Sequence, residues 1–358
     1  MRVALLVLFS LAVGPASAQT WDAMRDITPN GYLAHRAAEP VVIDGRLDDP
    51  AWLAAPWTDP FVDIEGDARP LPAHLTRARM LWDDDYLYVA VQLVDPHVWA
   101  DITERNAVIF YDNDIEIFVD PDGDNHGYYE FEMNALNTIW ELTLEKPYKD
   151  GGPAISPTNL PGLRSAAFVD GTLNASHDVD RGWSVEVALP LAELAAYNGG
   201  RRPESGDRWR INFSRVQWPH RVTEGGDYEK VPEAKENNWV WSPQGIIDMH
   251  RPERWGYIQF TDAAPGTAAF EPDPTLAARD LLMEVYHAQK TFYDAHERWA
   301  RSLGELAIPA ERLARGAARV TDLRPDTDGF VVTAESRQPD GTVRTLQTNH
   351  QSRIWERP

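Results

Sequence analysis

The chain reads as an all-β protein: an antiparallel β-sandwich, jelly-roll or immunoglobulin-like, followed by one long α-helix and a small β-hairpin. Three observations predict this. A series of short segments alternates apolar and polar residues with a period of two, which lines one face of a strand with apolar side chains. From about residue 40 to residue 261 no run with helical spacing interrupts them, so the strands pack on one another. After residue 262 the texture changes to a stretch rich in Ala, Pro, Gly and Thr, and then to a single helical stripe.

Taken in order, the first residues carry a positive charge at Arg2, a short apolar run from Val3 to Val13, and small residues at Ala16-Ser17-Ala18. That is the layout of a secretory signal cut after Ala18, and the run is shorter than the roughly 20 apolar residues a membrane span needs. The protein is therefore expected outside the cytoplasm, periplasmic or extracellular. A segment over residues 19–39 leads into the sandwich, expected over residues 40–262. Within it Leu87, Val89, Val91 and Leu93 alternate with Tyr86, Tyr88, Ala90 and Gln92. The same period runs through Ile115, Ile117 and Val119, through Phe131, Met133 and Ala135, through Trp183, Val185, Val187 and Leu189, and through Ile211 and Phe213. Long connections rich in Pro and Gly separate these strands at residues 146–163, 198–207 and 219–238, and loops of that length are commonly functional.

Residues 263–275 read as a linker, with Asp273-Pro274 as a helix start. Leu281, Val285, Ala288, Phe292, Ala295 and Trp299 recur at steps of four and three, one apolar stripe on a helix expected over residues 276–306. Residues 307–358 alternate weakly around Pro339-Asp340-Gly341, a hairpin turn. Helix and hairpin bury little alone and are expected to dock on the sandwich; a coiled-coil dimer is the alternative for the helix.

The 358 residues include 14 Trp and no Cys, so a core rather than disulfides holds the fold. A net charge of -22 argues against nucleic acid and anionic membrane surfaces, both of which need clusters of Lys and Arg. It suits neutral ligands and hard cations.

Five blocks, in order, resemble carbohydrate-binding module family 9 and the wider group of DOMON-like sandwiches. They are Val41-Val42-Ile43-Asp44-Gly45-Arg46-Leu47-Asp48-Asp49-Pro50-Ala51-Trp52, Leu81-Trp82-Asp83-Asp84-Asp85-Tyr86-Leu87-Tyr88-Val89, Asp114-Ile115-Glu116-Ile117-Phe118-Val119-Asp120, Trp183-Ser184-Val185-Glu186-Val187-Ala188-Leu189-Pro190 and Trp255-Gly256-Tyr257. The resemblance implies non-catalytic binding of a poly- or oligosaccharide in carbohydrate catabolism, alongside secreted glycosidases, at a site where two aromatic rings clamp a sugar. It implies a first ring at Phe110 and a carboxylate at Glu116. The second ring falls at Met249-His250, where the family prefers Trp, and the family's arginine on the following strand gives way near Glu130. Arg215 and Trp218, at a strand end beside a long loop, are expected to complete the rim. Some DOMON-like sandwiches hold haem instead, which makes Met133, Met249 and His250 an alternative set.

Asp120, Asp122, Asp124 and Asn125 place oxygen ligands around Gly123, the spacing of a tight cation loop. Phe131 stands where an EF-hand needs its bidentate Glu, so this is not that motif. The family resemblance implies structural calcium here. Glu130 and Glu132 lie on one face of one strand, about 6.7 Å apart. Glycosidase carboxylates must flank the scissile bond, so a hydrolytic pair is not expected. No Cys nucleophile, Gly-x-Ser-x-Gly, His-Glu-x-x-His or phosphate loop occurs.

Overall fold

A computed structural model describes residues 18–357, so the signal expected ahead of Ala18 lies outside the described residues. The alternating segments become strands of one large, curled, mixed sheet. In chain order they are β1 (Gly31–Arg36), β2 (Val62–Asp63), β3 (Thr76–Trp82), β4 (Tyr86–Val94), β5 (Asp114–Asp120), β6 (Tyr128–Asn134), β7 (Ile139–Leu144), β8 (Ala154–Ile155), β9 (Arg164–Asp170), β10 (Gly182–Pro190) and β11 (Arg208–Gln217). A hairpin of β12 (His220–Val222) and β13 (Tyr228–Lys230) follows, then β14 (Asn237–Val240) and β15 (Gly256–Thr261). The sheet runs β8-β7-β6-β5-β11-β15-β1-β3-β4-β10-β9, with β14 joining β11 to β2. Pairing is antiparallel except where β1 lies parallel to both β15 and β3.

The sheet curls into a sandwich-like arrangement because its apolar faces need each other. Leu87, Val89 and Val91 of β4 and Val185, Val187 and Leu189 of β10 share one core with Ile115, Ile117 and Val119 of β5, Phe131 and Met133 of β6, and Ile211 and Phe213 of β11. The outer face of β4 and β10 is covered as well. Tyr88, Ala90 and Ala188 pack there against Val41, Ala51 and Trp52, the last two on helix α2 (Pro50–Ala54). Glu186 organises this cover: its carboxylate accepts from the Trp52 indole (2.6 Å) and from the backbone N–H of Asp44 (2.9 Å) and Gly45 (2.8 Å). Gly45 turns the chain at φ +85°, and a Cβ there would stand 2.6 Å from the Ala167 carbonyl carbon.

Two expectations about connections change. Residues 219–238 are not a plain loop but carry the β12–β13 hairpin. Residues 263–275 are not a free linker but a strap on the sandwich. Glu271 N–H donates to Gln259 (2.8 Å), the Tyr257 hydroxyl to Asp273 (3.0 Å), and Arg208 to the Glu271 carbonyl (2.7 Å). Phe270 lies so close over Gly31 that a Cβ on Gly31 would meet its ring at 2.1 Å. Asp26–Leu276 forms one compact unit.

The second unit joins the segment up to Arg25, with helix α1 (Ala18–Met24), to the chain from Ala277 onward. Its long helix α4 spans Leu276–His296, shorter than the stripe suggests, because Glu297 turns left-handed at φ +53°. Trp299 therefore leaves the helix and packs on Phe330 (5.1 Å between ring centres). The expected hairpin is part of a five-stranded meander: β16 (Ala314–Arg315), β17 (Ala318–Pro325), β18 (Phe330–Arg337), β19 (Val343–Asn349) and β20 (Ile354–Glu356). Gly341 makes the β18–β19 turn at φ +88°. Trp21 of α1 donates to Glu284 of α4 (2.8 Å) and stacks on His287 (5.0 Å). Among the described residues no helix is long and apolar enough to cross a membrane.

Candidate functional site

The period of two that sends Ile115, Ile117 and Val119 into the core sends Asp114, Glu116 and Phe118 to the opposite face of β5. The register then sets Glu132 of β6 opposite Glu116, Glu130 opposite Phe118, and Trp140 of β7 opposite Glu132. Four acids, Asp114, Glu116, Glu130 and Glu132, thus share one patch of sheet, and all are at least 94 % buried. Burial pushes every one of these carboxyls upward. For Glu116 the result is about 7, with Glu236 adding to the rise and Ser214 opposing it. Asp114, Glu130 and Glu132 are raised well above the ordinary range by burial first and by the Glu116 charge next.

Aromatic rings border this acid floor at two places. On one side the short turn Ile109–Tyr111 brings the Phe110 backbone N–H to Glu132 (3.1 Å), and the Phe110 ring stands 6.5 Å from that of Trp140. Trp218 is tied to the same turn: its indole donates to the Phe110 carbonyl and its backbone N–H to Asn113, both at 2.8 Å. The Lys230 ammonium lies 3.6 Å over the Trp218 ring. On the other side the His250 ring nitrogen Nε2 is 4.0 Å from Glu130, and the half-exposed Tyr148 meets His250 edge-on at 4.5 Å. Burial lowers His250 to about 4, so it is neutral at pH 7, and Nδ1 shares a hydrogen bond with the Tyr128 hydroxyl (2.9 Å). A sugar's apolar face stacks on rings, and its hydroxyls need acceptors such as carboxylates.

Residues 43–213 match the family model described as carbohydrate family 9 binding domain-like. The sandwich is family 9-like over those residues. The exoglucanase XynX of Acetivibrio thermocellus is 29% identical over 161 residues, which is 44% of this chain and 12% of that protein. The endo-1,4-beta-xylanase A of Thermoanaerobacterium saccharolyticum is 27% identical over 159 residues, 44% of this chain and 11% of that protein. A solved family 9 module of Caldicellulosiruptor kristjanssonii in complex with cellotriose aligns over 68% of this chain and 100% of its own, at 14% identity and a TM-score of 0.44.

Within the family 9-like domain, Phe110, Glu116, Glu130, His250 and Trp218 come to the acid face or its border, and Arg215 does not. Arg215 pairs with Ile115 and points to the core side of β11, 1% exposed, where it bonds Asp95 (3.0 Å), Gln217, Thr76 and the Val94 carbonyl. It is a buried structural ion pair rather than a rim. Met249 is also structural: it packs with Phe118, Tyr128 and Trp255, and its sulfur accepts from Gln244 (3.0 Å). Met133 faces the main core, across the sheet from Met249 and His250, so the three do not line one haem space. Trp218 also borders a groove of about 430 Å³ with Leu71, His74, His220 and Trp239.

Asp114 and Tyr148 are the members of the face that residue patterns assign least directly. Extending the alternation of β5 by one step reaches Asp114, and the Glu130–Glu132 repeat reaches Glu132. Only the register tells that these acids meet.

The Asp120–Asn125 turn closes on itself. Asp120 accepts from Gly123 N–H and Asn125 N–H (3.0 Å each), Asp122 from Asp124 N–H (3.2 Å), and Asp124 from His126 N–H (2.7 Å). Carboxylate oxygens of Asp120, Asp122 and Asp124 lie within 4.8 Å of one another. Three carboxylates this near one another are hard oxygen donors of the kind calcium takes, so the donor set fits calcium. Asp120 is buried, and burial followed by the charges of Asp122 and Asp124 drives its carboxyl well upward.

Proposed function

We propose that this is an exported, non-catalytic carbohydrate-binding protein, and that its family 9-like domain takes a poly- or oligosaccharide at the acid face between the Phe110–Trp140 and Tyr148–His250 rings. The observation that carries this is the pairing of rings with a carboxylate floor on a domain similar to a carbohydrate-binding family. Rings would stack the apolar face of a pyranose, and Glu116 and Glu130 would accept from its hydroxyls. The exoglucanase and xylanase relatives favour β-glucan or xylan chains, and secreted glycosidases as partners. Calcium would brace the opposite end of β5 through Asp120, Asp122 and Asp124, with Asn125 closing the loop. No hydrolytic role is proposed, because Glu130 and Glu132 rise from one strand on the same side. A glycan array on the purified chain, followed by calorimetric titration of the best ligand, tests the reading. No binding to any poly- or oligosaccharide would remove it.

A further inference from the structure

The acid face carries a charge problem that sugar binding does not solve. Asp114, Glu116, Glu130 and Glu132 are 0%, 6%, 4% and 2% exposed, and among the described residues none of them is ion-paired with Lys or Arg. His250 lies 4.0 Å from Glu130 and is held neutral at pH 7 by burial, and the partly buried Lys230 ammonium over Trp218 acts on Asp114 only at a distance. Lys149, buried nearby in sequence, is engaged by Asp150 (3.0 Å) and Glu253 (3.7 Å). A carboxylate buried without partner or counter-charge is costly, and proteins answer with a proton, a cation or a metal.

The geometry answers with a metal-sized gap. One carboxylate oxygen each from Asp114, Glu116 and Glu132 comes within 4.8 Å of the others. A second observation points the same way. Glu130, outside that trio, is 96 % buried on the same face, yet its Oε2 has no N–H or O–H donor at hydrogen-bond distance; the Asp114 oxygens have none either, and only the nearby Val216 backbone N–H favours their charge. Groups this deep normally bond something. We propose that Asp114, Glu116 and Glu132, with Glu130 beside them, form a second divalent-cation site, separate from the Asp120–Asp124 turn. Calcium is the fitting ion by chemistry: it takes an all-protein cage of carboxylates, whereas magnesium keeps several waters and seldom occupies such a cage. The donor set is all hard oxygen, which excludes a preference for zinc or copper. This site rests on the acid face alone and stands or falls independently of sugar binding.

The test is calcium titration of the full chain, stripped with chelator, by calorimetry, with terbium luminescence as a second readout. Two equivalents are expected for the native chain. Glu132→Gln should lose one equivalent and keep the other, whereas Asp122→Asn with Asp124→Asn should do the converse. Terbium in the acid site should be excited through Trp140, which stands opposite Glu132, so Trp140→Phe should cut sensitised emission at least twofold. Calcium stoichiometry unchanged in Glu132→Gln overturns the site. Should that variant fail to fold, Trp140→Phe decides: emission lost supports the site, and emission unchanged overturns it.

Discussion

Phe110 is only partly covered, and its hold on Glu132 runs through its backbone N–H rather than its ring. Phe110→Ala should therefore leave that hydrogen bond and the melting temperature almost intact while removing a stacking surface. Sugar affinity should fall at least tenfold, about 1.4 kcal/mol, as read by titration beside thermal melting. If Phe110 were instead a core residue, the loss would appear as roughly 3–5 kcal/mol of stability. Protonation on the same face has a definite sign. Glu116 is raised from 4.5 to about 7, so the folded chain holds a proton there that the unfolded chain has lost. Its contribution is fully present below pH 4.5 and disappears as pH rises through about 7. His250 runs the other way: lowered from 6.5 to about 4, it contributes above pH 6.5 and loses that as pH falls through about 4. In chelator, Glu116→Gln should flatten the decline between pH 4.5 and pH 7, and denaturant titrations across that window would show it.

Among the elements, β11 shows how far a sequence pattern carries. Ile211 and Phe213 mark its core side, and two more residues in the same step reach Arg215. Parity alone therefore assigns Arg215 to the core, and its placement on a binding rim came from its position near a strand end rather than from that period. What no pattern gives is the register that sets Glu116 opposite Glu132, because strand pairing is decided by the sheet as a whole. Arg215 and Asp95 are each 1% exposed, and burial lowers Arg215 to about 10 although Asp95 opposes the fall. Asp95→Ala would strand a buried guanidinium and should cost about 3–5 kcal/mol in denaturant unfolding, with sugar affinity unchanged because Arg215 faces away from the site. The turn after β5 makes a separate prediction. Calcium bound there would stabilise the native state by RT ln(1 + [L]/Kd), about 2.7 kcal/mol at a hundredfold excess. Chelator should lower the melting temperature of the native chain, and Asp122→Asn with Asp124→Asn should blunt that response.

At the scale of the molecule, strands were legible because they depend on local periodicity, whereas the change of texture after residue 262 is not the edge of the compact unit, which runs to Leu276. The partnership of α1 with α4, the five-stranded meander and the strap were not legible, since each depends on contacts between distant segments. Nothing in the assembled acid face places carboxyls on opposite sides of a bond. The purified chain should release no reducing sugar from cellulose or xylan, and release that vanished in Glu130→Gln would contradict the binding-only reading.

The pairing of the first and last long strands of the sandwich bears on mechanics. The first strand, β1, and the last, β15, lie side by side and parallel through five residue pairs from Gly31–Tyr257 to His35–Thr261. The strap then brings Phe270 back over Gly31. Tension applied between the two ends of Asp26–Leu276 would first peel the strap from Gly31, one contact at a time, like a zip. Once it had lifted, the pull would run along β1 and β15 in opposite senses, so that their ladder shares the load and yields only all at once. A domain of this build gives slack before it resists.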